Sequence, residues 1–345
     1  MADTTARVAE LTERTVREAF QANPDMARHA GAHEFDGVVG DAGADFVRRR
    51  VGEIDALEAD LTAAASAGGR LDAAGRADLG AALGLCRRER FQLVDLRGPW
   101  HDPRQALAVA DVSAYVLRAY APAPQRAAAL CRHLEQMPEA LQGWSAMLDA
   151  ELPSGPRQIA ADEARGHASF YRDEVRTDLG DLGDATLQRR LDAAVETGAA
   201  ACERYAEAVE ARTASDVDVL GAARFSAMLA AQEGVEESAA ALRRRVDTEM
   251  SRLEKHAVEV ASGITAGGPA AAFTLMETDH PTAAGLIDTA AAMLDRLRDF
   301  WLADGAVRIA AEEHCVVRAS PAFMSWVTAA YDNPGPLEPP GLQHH

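Results

Sequence analysis

The sequence predicts an all-α protein, an elongated multi-helix bundle with one short extended segment near the C-terminus. Apolar residues recur at spacings of three and four along most of the 345 residues, the pattern of a helix with one buried face. Hydrophobic residues make up 48% of the chain but aromatic residues only 5%, so alanine, leucine and valine must fill the core between closely packed helices. We expect one helical domain over residues 1–345, with a possible subdivision near residues 263–269.

Proline and glycine divide the chain into its helices. The first marked helix covers residues 45–68, where Val47, Ile54 and Leu61 share one face. The second covers about residues 73–96 and stops before Pro99, because proline cannot continue the hydrogen-bond ladder. Further helices are predicted over residues 102–120, from 125 to a break or kink at 138, through 167 to about 175, and over 185–211, 217–232, 234–260 and 282–301.

The pattern changes towards the C-terminus. Residues 263–269 read as the clearest loop of the chain, because three glycines and a proline fall within them. Cys315, Val316 and Val317 favour a short extended segment between polar ends. Residues 333–345 are predicted to form an irregular tail.

Charge and composition exclude several classes of partner. The formal net charge of −19 would repel DNA and RNA, so no nucleic acid is expected. Neither a secretory signal nor an apolar run of the ~18 residues needed to span a bilayer is present, which predicts a cytoplasmic protein without membrane association. The four cysteines are scattered without paired spacing and are expected to be reduced core thiols.

Four segments in order along the chain carry a family resemblance. They are HEFDG at His33 to Gly37, residues 102–142, ETDHP at residues 277–281, and residues 299–338. Through them the chain resembles the bacterial family catalogued as domain of unknown function 885, whose members look like helical zinc metallopeptidases. The sequence contains no HExxH motif, and the resemblance would place the family's HEAYPGH-type segment beyond His345.

The resemblance implies a wall of an active-site cleft in the segment that precedes this zinc motif. Arg318 could bind a carboxylate there, and Tyr331 could donate a hydrogen bond to an oxyanion. With Glu313 and His314 of the same segment, these are the candidate catalytic residues. The alternative for each is a structural role.

Four other residues are candidates for substrate binding. His33 and Glu34 lie in the HEFDG segment, Trp100 lies at a polar and aromatic corner, and His280 lies in the ETDHP turn. A structural role is the alternative here too, because the neighbouring Asp36 could cap main-chain amides of a turn.

No metal site and no cofactor are predicted. Zinc needs two or three ligands on rigid elements. For His29 with His33, Gly31 weakens the helix that would place both on one face, and Glu34 would point away from that face; Glu163 with His167 lacks a matching pair on another helix. For Glu163 and His167 a hydrogen bond or ion pair within one helix is favoured. Nucleotide-binding glycine motifs and the GxSxG elbow are absent from the sequence.

Three functions remain open. The first is a zinc-independent enzyme that acts by general acid–base chemistry on a small amine-bearing or amide-bearing molecule, in a cavity inherited from a metallohydrolase-like scaffold. The second is a non-catalytic accessory or binding subunit that supplies the substrate-side wall while another polypeptide supplies the catalytic half in trans. The third is a metallopeptidase-like hydrolase.

We prefer the first function because a native-like start and a Pro-rich tail lead us to expect a complete chain. A truncated piece and a homo-oligomer are further alternatives. For the accessory subunit, an exposed apolar face near residues 315–345 is expected.

Overall fold

The computed structural model describes residues 2–66, 71–309, 315–324, 327 and 329–338, with side chains from residue 5 onwards. Over these residues it has 14 α-helices and two short strands, so the predicted all-α class is confirmed. The chain folds into two compact units: unit 1 holds the described residues up to Val219 and from Ser320, and unit 2 holds those from Leu220 to Ala319. The organisation as a single domain stays a prediction.

Unit 1 contains ten α-helices and both strands in its described residues. Its helices are α1 (Ala2–Ala22), α2 (Pro24–His29), α3 (Ala44–Ser66), α4 (Ala73–Arg90), α5 (Gly98–His101), α6 (Ser113–Leu117), α7 (Ala123–Ser145), α8 (Ser154–Asp173), α9 (Val175–Leu179) and α10 (Ala185–Glu210). Its strands are β1 (Glu151–Pro153) and β2 (Thr213–Ser215). Short 3-10 turns cover His33–Phe35, Pro103–Ala110 and Ala322–Met324, and a π-helical turn covers Phe91–Asp95.

The first core of unit 1 lies between α1, α3 and α4. The apolar stripe predicted on α3 is the buried face, where Ile54, Leu57 and Leu61 pack with Leu11 of α1 and its neighbours. Asp72 begins α4 by accepting a hydrogen bond of 2.8 Å from the Gly75 amide. The regular part of α4 is shorter than predicted, because its last turn widens into the π-helical turn.

The second core is formed by α7, α8 and α10, with α10 packed against both other helices. Pro138 lies inside α7, which continues through it without a break. A proline costs a helix interior about 3 kcal/mol. Burial of Leu134, Met137 and Leu141 on both sides of Pro138 offsets this cost.

The two strands were not predicted. They pair in parallel with Leu152 opposite Ala214, directly before α8 and after α10, and the Ser154 hydroxyl donates to the Ser215 carbonyl at 2.7 Å. A three-residue strand contains too few residues to produce a sequence pattern with a period of two.

The single helix predicted over residues 102–120 is wrong. Residues 103–110 form a 3-10 turn and residues 113–117 the short helix α6, because side chains of neighbouring helices bind the carbonyls along this segment. The Tyr205 hydroxyl donates to the Pro103 carbonyl at 2.6 Å, and the His133 ring donates from Nε2 to the Val109 carbonyl at 2.8 Å. Further bonds run from Tyr171 to Ala110 and from Arg126 to Tyr115 and Val116.

Unit 2 contains α11 (Gly221–Glu233), α12 (Ala239–Ile264), α13 (Gly268–Thr278) and α14 (Leu286–Asp304), with a 3-10 turn at Ala283–Gly285. The loop predicted over residues 263–269 shrinks to residues 265–267, because α12 runs to Ile264 and Pro269 occupies the first turn of α13, where proline is tolerated. Among the described residues of unit 2, only Ala261 and Ala272 are buried.

Residues 315–320 contain an isolated bridge at Cys315 and no helix, in keeping with the extended segment expected there. The tail has neither helix nor strand over residues 333–338, and residues 339–345 lie outside the described part.

The C-terminal segment, defined as the described residues between 320 and 338, packs onto α8 and onto the end of α2. Phe323 lies against Gly166, and Gly335 lies so close to the main chain of His29 and Ala30 that a Cβ atom there would overlap it. Arg118 ties the segment down with an ion pair of 2.8 Å to Asp332. It also bonds Glu338 at 3.3 Å and the His29 carbonyl at 2.9 Å.

We expect Gly335→Ala to lower the free energy of unfolding by about 1–3 kcal/mol, because the added methyl group forces the C-terminal segment off the His29–Ala30 main chain. Urea denaturation would measure this. Gly155→Ala is the matched control, since no atom lies within 4 Å of its added Cβ. Equal effects of the two substitutions would contradict the close contact.

Candidate functional site

Four titratable side chains from three elements of unit 1 form the candidate site, which we call the acid–base cluster. They are His29 at the end of α2, Asp111 after the 3-10 turn, and Glu163 and His167 one turn apart on α8. The side-chain bonds that hold residues 103–117 in their irregular path also fix the position of Asp111.

His29 and Asp111 form the polar pair of the cluster. The Nε2 atom of His29 lies 3.2 Å from a carboxylate oxygen of Asp111, and its Nδ1 atom lies 2.9 Å from the Asp25 carbonyl. Both ring nitrogens therefore face acceptors, which favours the doubly protonated imidazolium. Burial lowers the pKa of His29, but the bond and charge of Asp111 and the Asp25 carbonyl outweigh it, so the pKa is raised above its ordinary value.

Asp111 stays ionised at neutral pH. Burial opposes its ionisation, but the hydrogen bond and charge of His29, with the Ser113 amide at 2.9 Å, lower its pKa well below the usual range. The side chains of Asp111 and His29 are 29% and 34% exposed, so this ion pair is partly open to solvent.

Glu163 and His167 differ from this pair because the contact between their side chains is longer than a hydrogen bond. Glu163 forms no hydrogen bond within the described part of the chain, and its carboxylate lies 3.9 Å from Nε2 of His167. Burial raises the pKa of Glu163 to about 7; the charge of Arg104 lowers it, while those of Asp111 and Asp102 raise it further.

His167 is almost completely buried. Burial lowers its pKa to about 4, so the ring is neutral at pH 7. Its Nδ1 atom meets no hydrogen-bond partner among the described residues, and its ring stacks on Phe323 of the C-terminal segment at 4.4 Å. One buried nitrogen is therefore left without a bond inside the site.

Arg28 adds a buried positive charge next to the cluster. It is fully buried, and none of its guanidinium nitrogens meets a hydrogen-bond acceptor among the described residues. The guanidinium lies over the Tyr115 ring at 4.9 Å, a cation–π contact. Burial first and this charge second lower the pKa of His133 to about 3, which keeps its ring neutral for the bond to Val109.

At neutral pH the cluster thus holds an ionised carboxylate (Asp111), a histidine whose protonated form is favoured (His29), a neutral imidazole (His167) and a carboxyl group with a pKa of about 7 (Glu163). Such a division among neighbouring titratable groups is how proteins assign acid and base roles. Within the described residues no group of three His, Cys, Asp or Glu side chains is arranged to hold a metal ion. The cluster can donate and accept protons with its own side chains.

The metal pair considered from the sequence, His29 with His33, does not share a helix. α2 ends at His29, and Gly31 follows with a φ of 90°. His33 instead bonds Glu338 at 2.9 Å and Asp36 at 3.3 Å.

The His33 ring also stacks on Tyr120 at 3.5 Å, and the Tyr120 hydroxyl donates to Asp36 at 2.7 Å. His33 thus joins the HEFDG turn to the C-terminal segment. Its substrate-binding role stays a prediction.

The other predicted binding residues lie at separate places. Glu34 is exposed, and Trp100 is half-buried beneath Arg97, whose guanidinium lies 5.6 Å from its ring. His280 belongs to unit 2, is exposed and bonds the Pro281 carbonyl at 2.9 Å. Neither Glu34 nor Trp100 contacts the acid–base cluster by any bond found among the described residues.

The two predicted catalytic residues that the structure describes, Arg318 and Tyr331, belong to different units. Glu313 and His314 lie outside the described residues. Arg318 belongs to unit 2 and is half-buried, whereas Tyr331 belongs to unit 1 and is 62% exposed. Their joint role stays a prediction.

Sequence reasoning missed Asp111 and Arg28. One local signal could have indicated Asp111: an aspartate often accepts a hydrogen bond from the main-chain amide two residues later, which here is the amide of Ser113. Arg28 carries none, because arginine in a short charged helix reads as solvent-exposed. Pairing with residues more than eighty positions away made both of them part of the site.

The chain belongs to the family described as "Bacterial protein of unknown function (DUF885)", which matches residues 24–342. The family named from the sequence is thereby confirmed, whereas a relationship to zinc metallopeptidases stays a prediction. No curated protein is similar enough to match. Among the described residues, no helix is both long and apolar enough to cross a bilayer.

A solved structure with a similar fold is described as "a putative lipoprotein of unknown function from Shewanella oneidensis". The TM-score is 0.67 at 14% sequence identity, which shows a shared fold. The match covers 98% of this chain and 64% of that chain, so this chain spans less than two thirds of its neighbour's length.

We expect Glu163→Gln to stabilise the protein at pH 8 but not at pH 4. The fold raises the pKa of Glu163 from 4.5 to about 7, so its ionisation disfavours the folded state as the pH rises through this window. Relative to wild type, the free energy of unfolding of the variant should gain about 3 kcal/mol between pH 4 and pH 8, as measured in urea. A pH-independent difference would contradict the raised pKa.

Asp111→Asn should lower the pKa of His29, because it removes the charge that outweighs burial of the ring. A pH titration of the ring Cε1–H signals by NMR would measure the change. Asp149→Asn, which loses the same charge but pairs with Arg97, should leave the His29 titration unchanged. An identical His29 pKa in wild type and Asp111→Asn would show that the ion pair does not form.

Proposed function

We propose that the protein is an enzyme that acts on a small amine-bearing or amide-bearing molecule by general acid–base chemistry at the acid–base cluster, without requiring zinc. The observation that carries the proposal is Glu163, a half-buried carboxyl group without a hydrogen bond among the described residues, beside the ion pair of Asp111 and His29. A pKa near the operating pH is what a proton-transferring group needs.

Each group has a distinct part in the proposed reaction. The Glu163 carboxylate takes a proton from an attacking water and returns it to the leaving nitrogen, so the proton is conserved over the cycle. The His29 imidazolium provides positive charge for the oxyanion that forms when water adds to the carbonyl. Asp111 is a positioning residue, because it holds His29 charged and oriented.

The acidic surface supports the choice of substrate. A net charge of −19 attracts cations, so an amine-bearing molecule would be concentrated near the protein. Asp102 pairs with Arg104 at 2.7 Å near Glu163, which limits the negative charge next to the reacting groups.

A panel of chromogenic esters and aminoacyl anilides would test this proposal. We expect turnover to rise with pH through a midpoint near 7, and Glu163→Gln to lose about 100-fold or more in kcat/KM. Asp162→Asn is the matched control, because it removes an exposed carboxylate one residue away and should stay near wild type.

Three results would contradict the proposal. Turnover that persists in Glu163→Gln would exclude the acid–base role of this residue. Activity that is lost in EDTA and restored by zinc would favour the metallopeptidase-like alternative. Absence of turnover across the panel would favour the accessory subunit.

The accessory or binding subunit is the second candidate function, favoured by apolar surface in unit 2. Leu297, Phe300 and Trp301 of α14 are 50%, 58% and 41% exposed, and none of the 19 residues of α14 is buried. Within residues 315–338, the described large apolar residues that are exposed are Tyr331 and Leu337.

A cytoplasmic location is part of both proposals, and fractionation of the native cell would test it.

A further inference from the structure

The helix α12 presents an apolar row to solvent along most of its length. Six residues of the row follow alternating spacings of four and three, and all are exposed. They are Val246, Met250, Leu253, Ala257, Val260 and Ile264, which we call the α12 seam. The five large side chains among them are between 43% and 57% exposed.

Alternation of four and three is the spacing of the a and d positions of a heptad repeat. A helix that faces a broad core has a wider apolar stripe, so a strict a/d row indicates packing against one other helix. Within unit 2, α12 packs against α13 and buries a different residue, Ala261, which lies at the e position beside the seam. The described residues leave the α12 seam itself exposed.

The charges beside the seam define its partner. With Val246 and Leu253 at d, the flanking e positions hold Asp247, Glu254 and Ala261, and the g positions hold Glu249, His256 and Gly263. Three of these six residues are therefore acidic, and His256 is the one basic side chain among them. Glu249 also pairs with Arg252 of the same helix at 2.6 Å, an exposed contact of the kind that contributes little.

A second copy of this chain does not fit the seam. In a parallel pair, Glu249 at g would face Glu254 at e of the other copy, and in an antiparallel pair e would face e and g would face g. Both arrangements place like charges next to each other, which is unfavourable.

We propose that the α12 seam binds an amphipathic helix of another polypeptide, with apolar residues at its a and d positions and Lys or Arg at e and g. Its apolar row would cover the seam, and its basic flanks would pair with Asp247, Glu249 and Glu254. This interaction does not depend on the acid–base chemistry proposed for unit 1.

Two synthetic three-heptad peptides would test the proposal with the whole protein. They share Val at a and Leu at d, and carry either Lys or Glu at all e and g positions. By fluorescence anisotropy at fixed salt, we expect the Lys peptide to bind at least about tenfold more tightly than the Glu peptide. Leu253→Glu and, independently, Val246→Glu should weaken binding of the Lys peptide by a similar factor.

Charge reversal separates pairing at the seam from general attraction to an acidic protein. Asp247→Lys with Glu254→Lys should invert the preference between the two peptides. The control, Glu236→Lys with Glu259→Lys, makes the same change in net charge away from the seam. It should retain the preference for the Lys peptide. Circular dichroism would show that the exposed substitutions leave the fold intact.

Three outcomes would overturn the proposal. In the first, both charge variants weaken binding of the Lys peptide equally, which means general electrostatic attraction. In the second, Leu253→Glu changes the affinity of neither peptide, which means that the seam is not the binding surface. In the third, sedimentation shows a dimer of the protein that Leu253→Glu dissociates, which assigns the seam to a second copy.

Discussion

The described fold of unit 1 depends on satisfying an irregular main chain inside a helical core. Residues 103–117 lie against α7, α8 and α10 without forming a continuous helix, so several of their buried carbonyls take partners other than the segment's own amides. Side chains of Tyr205, His133 and Tyr171 supply them. Because unpaired buried polar groups cost about 1–3 kcal/mol each, these bonds hold the segment, and hence Asp111, in one position.

Electrostatics then connects this segment to both ends of unit 1. Asp111 raises the pKa of His29 through its charge and hydrogen bond, and the carbonyl of His29 accepts a bond from Arg118. Arg118 in turn pairs with Glu338, whose side chain is 1% exposed and which also bonds His33. Removing one partner of a buried charge pair leaves the other uncompensated, so this network stabilises the C-terminal segment against α2. The HEFDG residues thus support the edge of the site.

The two units differ in how far their apolar residues are buried. Unit 1 buries its leucines and valines in two cores, whereas the helices of unit 2 leave theirs largely in contact with solvent. In α12, the apolar a/d row and the acidic flanking residues restrict which kind of helix can pack against it. The structural neighbour has about a third of its length without a counterpart here.

The sequence by itself determined the all-α class, the family and the buried stripe of α3, because helix periodicity and proline and glycine positions are local signals. It also placed Glu163 and His167 one helical turn apart. Only the tertiary structure decided that residues 103–117 do not form the single continuous helix predicted for them. It also decided that the partner of His29 is Asp111 rather than His33. Those outcomes depend on side chains distant in sequence, such as Tyr205 and Tyr171, which compete for carbonyls that no local pattern shows to be available. The pKa of Glu163 was likewise undetermined by sequence, because burial and neighbouring charges set it.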